Sequence, residues 1–251
     1  MTTQFAIYPS LAGKVVFVTG GASGIGADIV RAFAANGSKV AFVDVMEPEG
    51  SQLASDTGAM FLKCDVTDVD SLKVAIAAAQ AAIGIITVLV NNAANDDRHA
   101  IDDVDVEYWD WSQAVNLRPH FFAAQAVRPQ MREVGGGSIV NLSSVAWRFG
   151  AHAMVPYVTA KSAIIGLTHA LARGFGDDNI RVNAIEPGAV MTTRQRELWY
   201  KTEDLVETMV SRQMLKRVLI GEDIARMVLF LAADDSHMIT KQSIRVDAGL
   251  A

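Results

Sequence analysis

Lys14-Val15-Val16-Phe17-Val18-Thr19-Gly20-Gly21-Ala22-Ser23-Gly24-Ile25-Gly26 is the stretch that decides the fold. An apolar, β-branched run leads directly into glycines, and residues 27–36 then carry helical spacing with Gly37 suited to the C-terminal cap. A run apolar at every position reads as a strand buried on both faces. The order is strand, glycine loop, helix. Glycines let a backbone come close to a phosphate, and a helix N-terminus offers free N–H groups and the positive end of its dipole. A glycine pattern alone also fits an ordinary tight turn. The strand before it and the helix after it favour the anion-binding reading.

A second strand, 39–44, ends at Asp44. In a dinucleotide-binding fold a carboxylate at this point accepts hydrogen bonds from the adenosine ribose and repels a 2′-phosphate, which favours NAD over NADP. The plain alternative is a cap or turn aspartate. Strands are expected at 59–65, 85–90, 138–142 and 180–185, with a short last one at 243–247. Helices are expected at 71–82, 107–132, 156–175 and 222–232, and the polar stretch 192–213 has helical character. Regular alternation with short links predicts an α/β protein: a doubly wound parallel sheet of Rossmann type, about seven strands, with helices on both faces. Asp44, Asp65, Asn91, Ser144 and Pro187-Gly188 all fall at strand C-termini, where such sheets bind ligands. Nothing divides the chain, so residues 1–251 are expected to form a single domain with a lid segment near 192–215.

Composition narrows the partners. At 251 residues, 51% hydrophobic and 20% charged, the chain can bury a large core. Its net charge of −6 argues against nucleic acid and anionic membrane surfaces. One cysteine, Cys64, excludes an intrachain disulfide and suits a reducing compartment. No basic, apolar leader and no long apolar span is visible, so a cytoplasmic location is expected. No metal is expected.

Tyr157 and Lys161 stand one helical turn apart, behind Pro156 at a first-turn position. Ser144 lies just past the 138–142 strand. A phenol titrates near 10, and a neighbouring ammonium favours its phenolate, so the pair suits acid–base chemistry. Tyr-x-x-x-Lys is also a common surface spacing, and only its company on strand ends argues otherwise.

That company resembles the short-chain dehydrogenase/reductase family. The matching residues are Thr19-Gly20-x-x-x-Gly24-x-Gly26, Asp65, Asn91-Asn92-Ala93, Asn116, Ser144, Tyr157-x-x-x-Lys161, and Pro187-Gly188 followed by Thr192, in the family's order and over nearly the whole chain. The resemblance implies hydride transfer between a carbinol carbon and nicotinamide. It makes Tyr157 the base, Lys161 the group that lowers its pKa and bonds the nicotinamide ribose, Ser144 the holder of the substrate oxygen, and Asn116 a link in a proton relay. It places NAD against Gly20, Ser23, Gly24, Ile25, Gly26, Asp44, Asp65, Val66, Asn92, Ala93, Tyr157, Lys161, Pro187, Gly188, Val190 and Thr192. Two departures stand out: Ala94 and Lys241, where the family usually has glycine.

Asn91 to His99, with Glu107-Tyr108-Trp109-Asp110, Arg194-Gln195 and Trp199-Tyr200, is similar to bacterial aldose 1-dehydrogenases. That likeness implies oxidation of a sugar's anomeric hydroxyl to a lactone. Asn95, Asp96, Arg98, His99, Ser144, Trp147 and Tyr157 are then the candidate substrate residues, although 95–99 also reads as a solvated turn and Trp147 equally as a loop anchor. Glu186 is open between a substrate contact and a salt-bridge partner. The alternatives are another secondary alcohol (a polyol, a steroid or a 3-hydroxyacyl group) and a non-catalytic NAD sensor. Relatives of this kind are mostly tetramers, and apolar residues at 121–127 and 164–171 lead to the expectation of a homotetramer.

Overall fold

The computed structural model of the protein describes residues 5–251. Its strands are β1 (Val15–Thr19), β2 (Lys39–Asp44), β3 (Met60–Lys63), β4 (Ile86–Asn91), β5 (Gly137–Leu142), β6 (Ile180–Pro187) and β7 (Ser243–Val246). They form one seven-stranded sheet in the order β3-β2-β1-β4-β5-β6-β7. Every pairing is parallel. The Rossmann-type expectation holds.

The helices are α1 (Gly24–Ala35), α2 (Glu47–Thr57), α3 (Val69–Ile83), α4 (Val106–Asn116), α5 (Arg118–Glu133), α6 (Val155–Phe175), α7 (Thr193–Leu198), α8 (Glu203–Arg212) and α9 (Gly221–Ala232). Alternation along β1 shows how they are held. Val16 and Val18 pack with Ile29, Val30 and Phe33 of α1 and Val228 of α9. Val15 and Phe17 point the other way, onto Leu72 and Ile76 of α3 and Val127 of α5. Each such side chain, fully buried, contributes about 1.5–3 kcal/mol, and two apolar layers explain why the strand carries no polar face. No helix among the described residues is long and apolar enough to cross a membrane.

Three expectations are corrected. The helix expected over 107–132 is two helices, broken at Leu117 (φ −127°, ψ −53°). Pro119, in the first turn of α5, has no N–H to continue α4 and its ring would clash with the preceding turn. The polar stretch 192–213 is likewise two helices, α7 and α8. Helix α2 lies where no element was expected. It buries only Gly50 and Leu53, too little to show as periodicity, though Pro48 opens it and Gly58 (φ +72°) closes it. Of the apolar residues at 121–127 and 164–171, Ala123, Ala124, Val127, Ile164 and Leu171 are spent on the core, while Phe121 is 40% exposed.

Lys241 adopts φ +62°, the left-handed conformation that glycine favours, and its N–H donates to the Val182 carbonyl at 2.8 Å. The departure from the family's glycine is therefore met without changing the turn, at the cost of local strain. We predict that Lys241→Gly stabilises the protein by roughly 0.5–1 kcal/mol. A rise in denaturant midpoint with unchanged slope checks this, and a fall would contradict it.

Candidate active site

The carboxyl ends of the strands open into a cleft of about 900 Å³. Its floor at one end is the turn between β1 and α1. Gly20 has φ +66°, and a Cβ there would stand 2.6 Å from the Ala93 Cα. A Cβ on Gly26 would overlap the Gly20 carbonyl oxygen. The side chain of Asn92 closes the same knot, donating to the carbonyls of Thr19 (3.2 Å) and Gly20 (2.7 Å). Thr19 Oγ1 accepts from the N–H groups of Asn92 (3.0 Å) and Ala93 (3.1 Å). The tie between β1 and β4 thus positions the N-terminus of α1, whose first-turn N–H groups have no intrahelical acceptor and face the cleft.

Asp44 lies at the end of β2. Its Oδ2 accepts from the Ala22 N–H at 2.9 Å and its Oδ1 from the Met46 N–H at 3.1 Å, which aims the carboxylate into the cleft beside the glycine loop. Asp65 accepts from the Thr67 N–H at 2.9 Å, and Val66 is buried next to it. Ser23, Gly24, Ile25, Pro187, Gly188, Val190 and Thr192 line the same cleft. Thr192 caps α7, with Oγ1 accepting from the Gln195 N–H, and its methyl faces Gly24. Free N–H groups at a helix start, a loop too tight for side chains and an accepting carboxylate beside that loop fit a dinucleotide.

At the other end are Tyr157 and Lys161, both on α6. Lys161 is 1% exposed and donates to the Leu142 carbonyl at 2.8 Å. Its Nζ lies 5.5 Å from the centre of the Tyr157 ring. Tyr157 and Ser144 line the cleft together. The Ser143 hydroxyl, donating to the Lys161 carbonyl at 2.6 Å, fastens α6 to the end of β5. Burial pushes the Lys161 ammonium down to about 7, against the charge of Asp96. Burial also pushes the Tyr157 phenol above its ordinary value, the charge of Asp96 adds to this, and the bond to Ser144 opposes it. The family resemblance implies a lowered phenol. Here desolvation is the larger influence, and the charge of the partly exposed Asp96 adds to it. Asn116 is fully buried at the end of α4; it accepts from the Asn95 N–H at 2.9 Å and donates to the Ser112 carbonyl at 3.0 Å. It holds the loop after β4 against the helix break.

The candidate substrate residues divide. Asn95 lines the cleft, and Asp96 acts electrostatically on Tyr157 and Lys161. On the same loop, Arg98 is exposed and stacks on Trp199 at 4.1 Å, while His99 packs edge-on against Tyr108 at 5.0 Å and donates its N–H to the Ala153 carbonyl. Trp147 is an anchor, its Nε1 donating to Glu186 at 3.0 Å. Glu186, fully buried, is a salt-bridge partner: it also takes two bonds from Arg148 (2.6 and 2.9 Å) and one from Ser243 (2.5 Å). Burial raises its carboxyl, but these four donors outweigh burial and hold it below the usual range. The sequence reading did not count Arg194 or Gln195 as site residues. Both line the cleft, and the dipeptide had stood out only as part of the narrower resemblance.

Known proteins give this geometry a context. The family described as enoyl-(acyl carrier protein) reductase, a short-chain dehydrogenase group, matches residues 20–251. The chain is 46% identical to "Probable galactose dehydrogenase GalD" of Rhizobium meliloti, covering 100% of both chains. It is 43% identical to a D-xylose 1-dehydrogenase of Caulobacter vibrioides, over 97% of this chain and 98% of that one. Among solved structures, the aldohexose dehydrogenase of Thermoplasma acidophilum superposes with a TM-score of 0.89 at 31% identity, covering 97% of this chain and 96% of the other. With the glycine turn, the Tyr157–Lys161 pair at the cleft and these full-length matches together, the chain belongs to the short-chain dehydrogenase/reductase family.

Proposed function

We propose that the protein oxidises an aldose at its anomeric hydroxyl to the aldonolactone, with NAD as hydride acceptor. The observation that carries this reading is the full-length likeness to two sugar dehydrogenases in a chain whose cleft brings Tyr157, Lys161 and Ser144 together. Ser144 holds the substrate oxygen and orients its proton toward the Tyr157 phenolate. Tyr157 takes that proton as the C1–H bond breaks. Lys161 supplies the positive charge that offsets the burial of Tyr157, and it bonds the nicotinamide ribose. Asn116 keeps the loop after β4 in place and forms part of the proton path from Lys161 to solvent. A nicotinamide dinucleotide held along the glycine turn, Asp44 and Lys161 would supply the hydride acceptor. A positioned base of this kind contributes ~10²–10⁴-fold.

NAD is favoured over NADP by Asp44. Its carboxylate is fixed by the Ala22 N–H, the residues after it are Val45 and Met46, and Arg31, the cation that lines the same cleft, is paired with Asp28. Asn95 and Asp96 are the side chains we assign to the sugar hydroxyls, and the 192–215 segment is the lid that covers them. We also propose a homotetramer built on α5 and α6. Phe121 of α5 is 40% exposed, and the outer face of α6 carries the small residues Ala163, Gly166 and Ala170 that permit close helix approach.

Three outcomes test these assignments. NADH formation is expected with D-galactose or D-xylose in a panel of aldoses, polyols and secondary alcohols, with little turnover when NADP replaces NAD. Inactivity on every aldose would overturn the sugar reading, and a preference for NADP would overturn the role of Asp44. Tyr157→Phe is expected to abolish turnover while NAD still quenches tryptophan fluorescence, and substantial residual rate would remove Tyr157 as the base. Sedimentation or light scattering is expected to give four chains per particle; a monomer would contradict the tetramer.

A further inference from the structure

Two strand ends meet beside Ser144, and a buried carboxylate joins them. The Ser143 N–H donates to the Ile185 carbonyl at 2.8 Å, so the chain leaves β5 alongside the end of β6. The next residue of β6 is Glu186, which is fully buried. Its Oε2 accepts from Trp147 Nε1 at 3.0 Å and from Arg148 Nε at 2.6 Å. Its Oε1 accepts from Arg148 Nη2 at 2.9 Å and from the Ser243 hydroxyl at 2.5 Å. Three of these four bonds come from residues 147 and 148. The Arg148 guanidinium also stacks on the Trp147 ring at 4.4 Å, which ties the two donors to each other.

Those donors belong to a short turn over Val145–Trp147 that follows Ser144. The Arg148 N–H donates to the Val145 carbonyl at 2.9 Å, and the Ala151 N–H to the Ala146 carbonyl at 3.2 Å. Ser144 itself is extended (φ −164°, ψ 149°), and its Oγ accepts from the Ala146 N–H at 3.1 Å. A hydroxyl has one proton and two acceptor positions. The Ala146 N–H fills one acceptor position and leaves the proton to donate, and Ser144 lines the cleft. Contacts therefore run unbroken from the carboxylate to Trp147 and Arg148, along the turn, and on to the Ser144 hydroxyl. The paired bonds from Arg148 are charge-assisted, which fixes direction as well as distance.

We propose that Glu186 is a positioning residue for Ser144: it fixes the 145–147 turn, whose Ala146 N–H aims the Ser144 proton into the cleft at the substrate oxygen. Glu186 is buried and its four bonds go to protein groups, so its effect on the reaction passes through Ser144. The inference rests on the reading of Ser144 as the holder of the substrate oxygen.

The test is a double-variant cycle. Glu186→Gln and Trp147→Phe are each made alone and together with Ser144→Ala. Gln keeps the size of Glu186 but cannot accept from both Arg148 nitrogens. Phe removes one N–H, and the carboxylate stays paired with Arg148, so this variant keeps the fold. Glu186→Gln is expected to lower kcat on the best substrate of the panel by about 10–100-fold, and Trp147→Phe by less. NAD binding, read by quenching of tryptophan fluorescence, is expected to stay unchanged in both. In the Ser144→Ala background neither change is expected to cost further rate, because the group they position is gone. Equal losses in both backgrounds would overturn the proposal and leave Glu186 as an anchor of the fold alone. Amide hydrogen exchange in ¹⁵N-alanine-labelled protein reads the turn without any substrate. The Ala146 N–H is expected to exchange faster in Glu186→Gln, toward its rate in Ser144→Ala, while Ala41 in the core of β2 is unmoved. An Ala146 rate indifferent to Glu186 would also overturn the proposal. Faster Ala146 exchange in a protein inactive on every aldose sustains the positioning while the sugar reading falls. Aldose oxidation with Ala146 exchange indifferent to Glu186 does the reverse.

Discussion

Strand β1 has a parallel neighbour on each side, and everything functional depends on that. It pairs with β2 on one edge and with β4 on the other. Parallel neighbours need crossovers, and right-handed crossovers leading away in two directions put α1 on one face of the sheet and α3 and α5 on the other. Between the two sets of connections the carboxyl ends of the strands stay uncovered. The 900 Å³ cleft is that gap. The glycine turn makes it usable. Because neither Gly20 nor Gly26 carries a Cβ, α1 starts within contact of β1 and its N–H groups reach the gap instead of a wall of side chains.

The same gap sets the electrostatics. Lys161 is buried between sheet and helix and Tyr157 is half-buried at the cleft, so both resist ionisation more than they would at a surface. The protein answers with fixed hydrogen-bond partners: the Leu142 carbonyl for the ammonium and the Ser144 hydroxyl for the phenol. Glu186, at the end of β6, repeats the arrangement with opposite charge. A lone buried carboxylate is strongly unfavourable, and taking one partner from a buried pair costs about 3–5 kcal/mol, less here because Arg148 reaches solvent. Four donors converge on it, and in converging they hold the loop that carries Ser144 against the end of β6.

The legible parts of this molecule were those written in short-range pattern. Apolar runs ending in glycine, aspartate or asparagine located the strand ends, and the strand ends located the cleft. Pro119 was equally visible, but its weight against an otherwise continuous helical pattern was underestimated. What could not be read depends on partners far along the chain. The hydrogen bond from Trp147 to Glu186 spans 39 positions, and the stacking of Arg98 on Trp199 joins two loops that no local pattern connects. The direction of the Tyr157 shift was hidden for a related reason. A neighbouring lysine is apparent at i+4, whereas the depth of burial that outweighs it is a property of the assembled fold.

Glu186 has a consequence in time as well as in space. One of its four donors, Ser243, belongs to β7, and the N–H of Gly188 is likewise satisfied by the Val246 carbonyl of that strand. β7 is the last strand of the sheet to leave the ribosome, and it sits on the edge. A growing chain can therefore assemble β1 to β5, the glycine turn and the α6 pair while Glu186 and the 187–188 corner are still incomplete. Because domains complete as units during synthesis, the wall that carries Ser144 sets only after β7 docks.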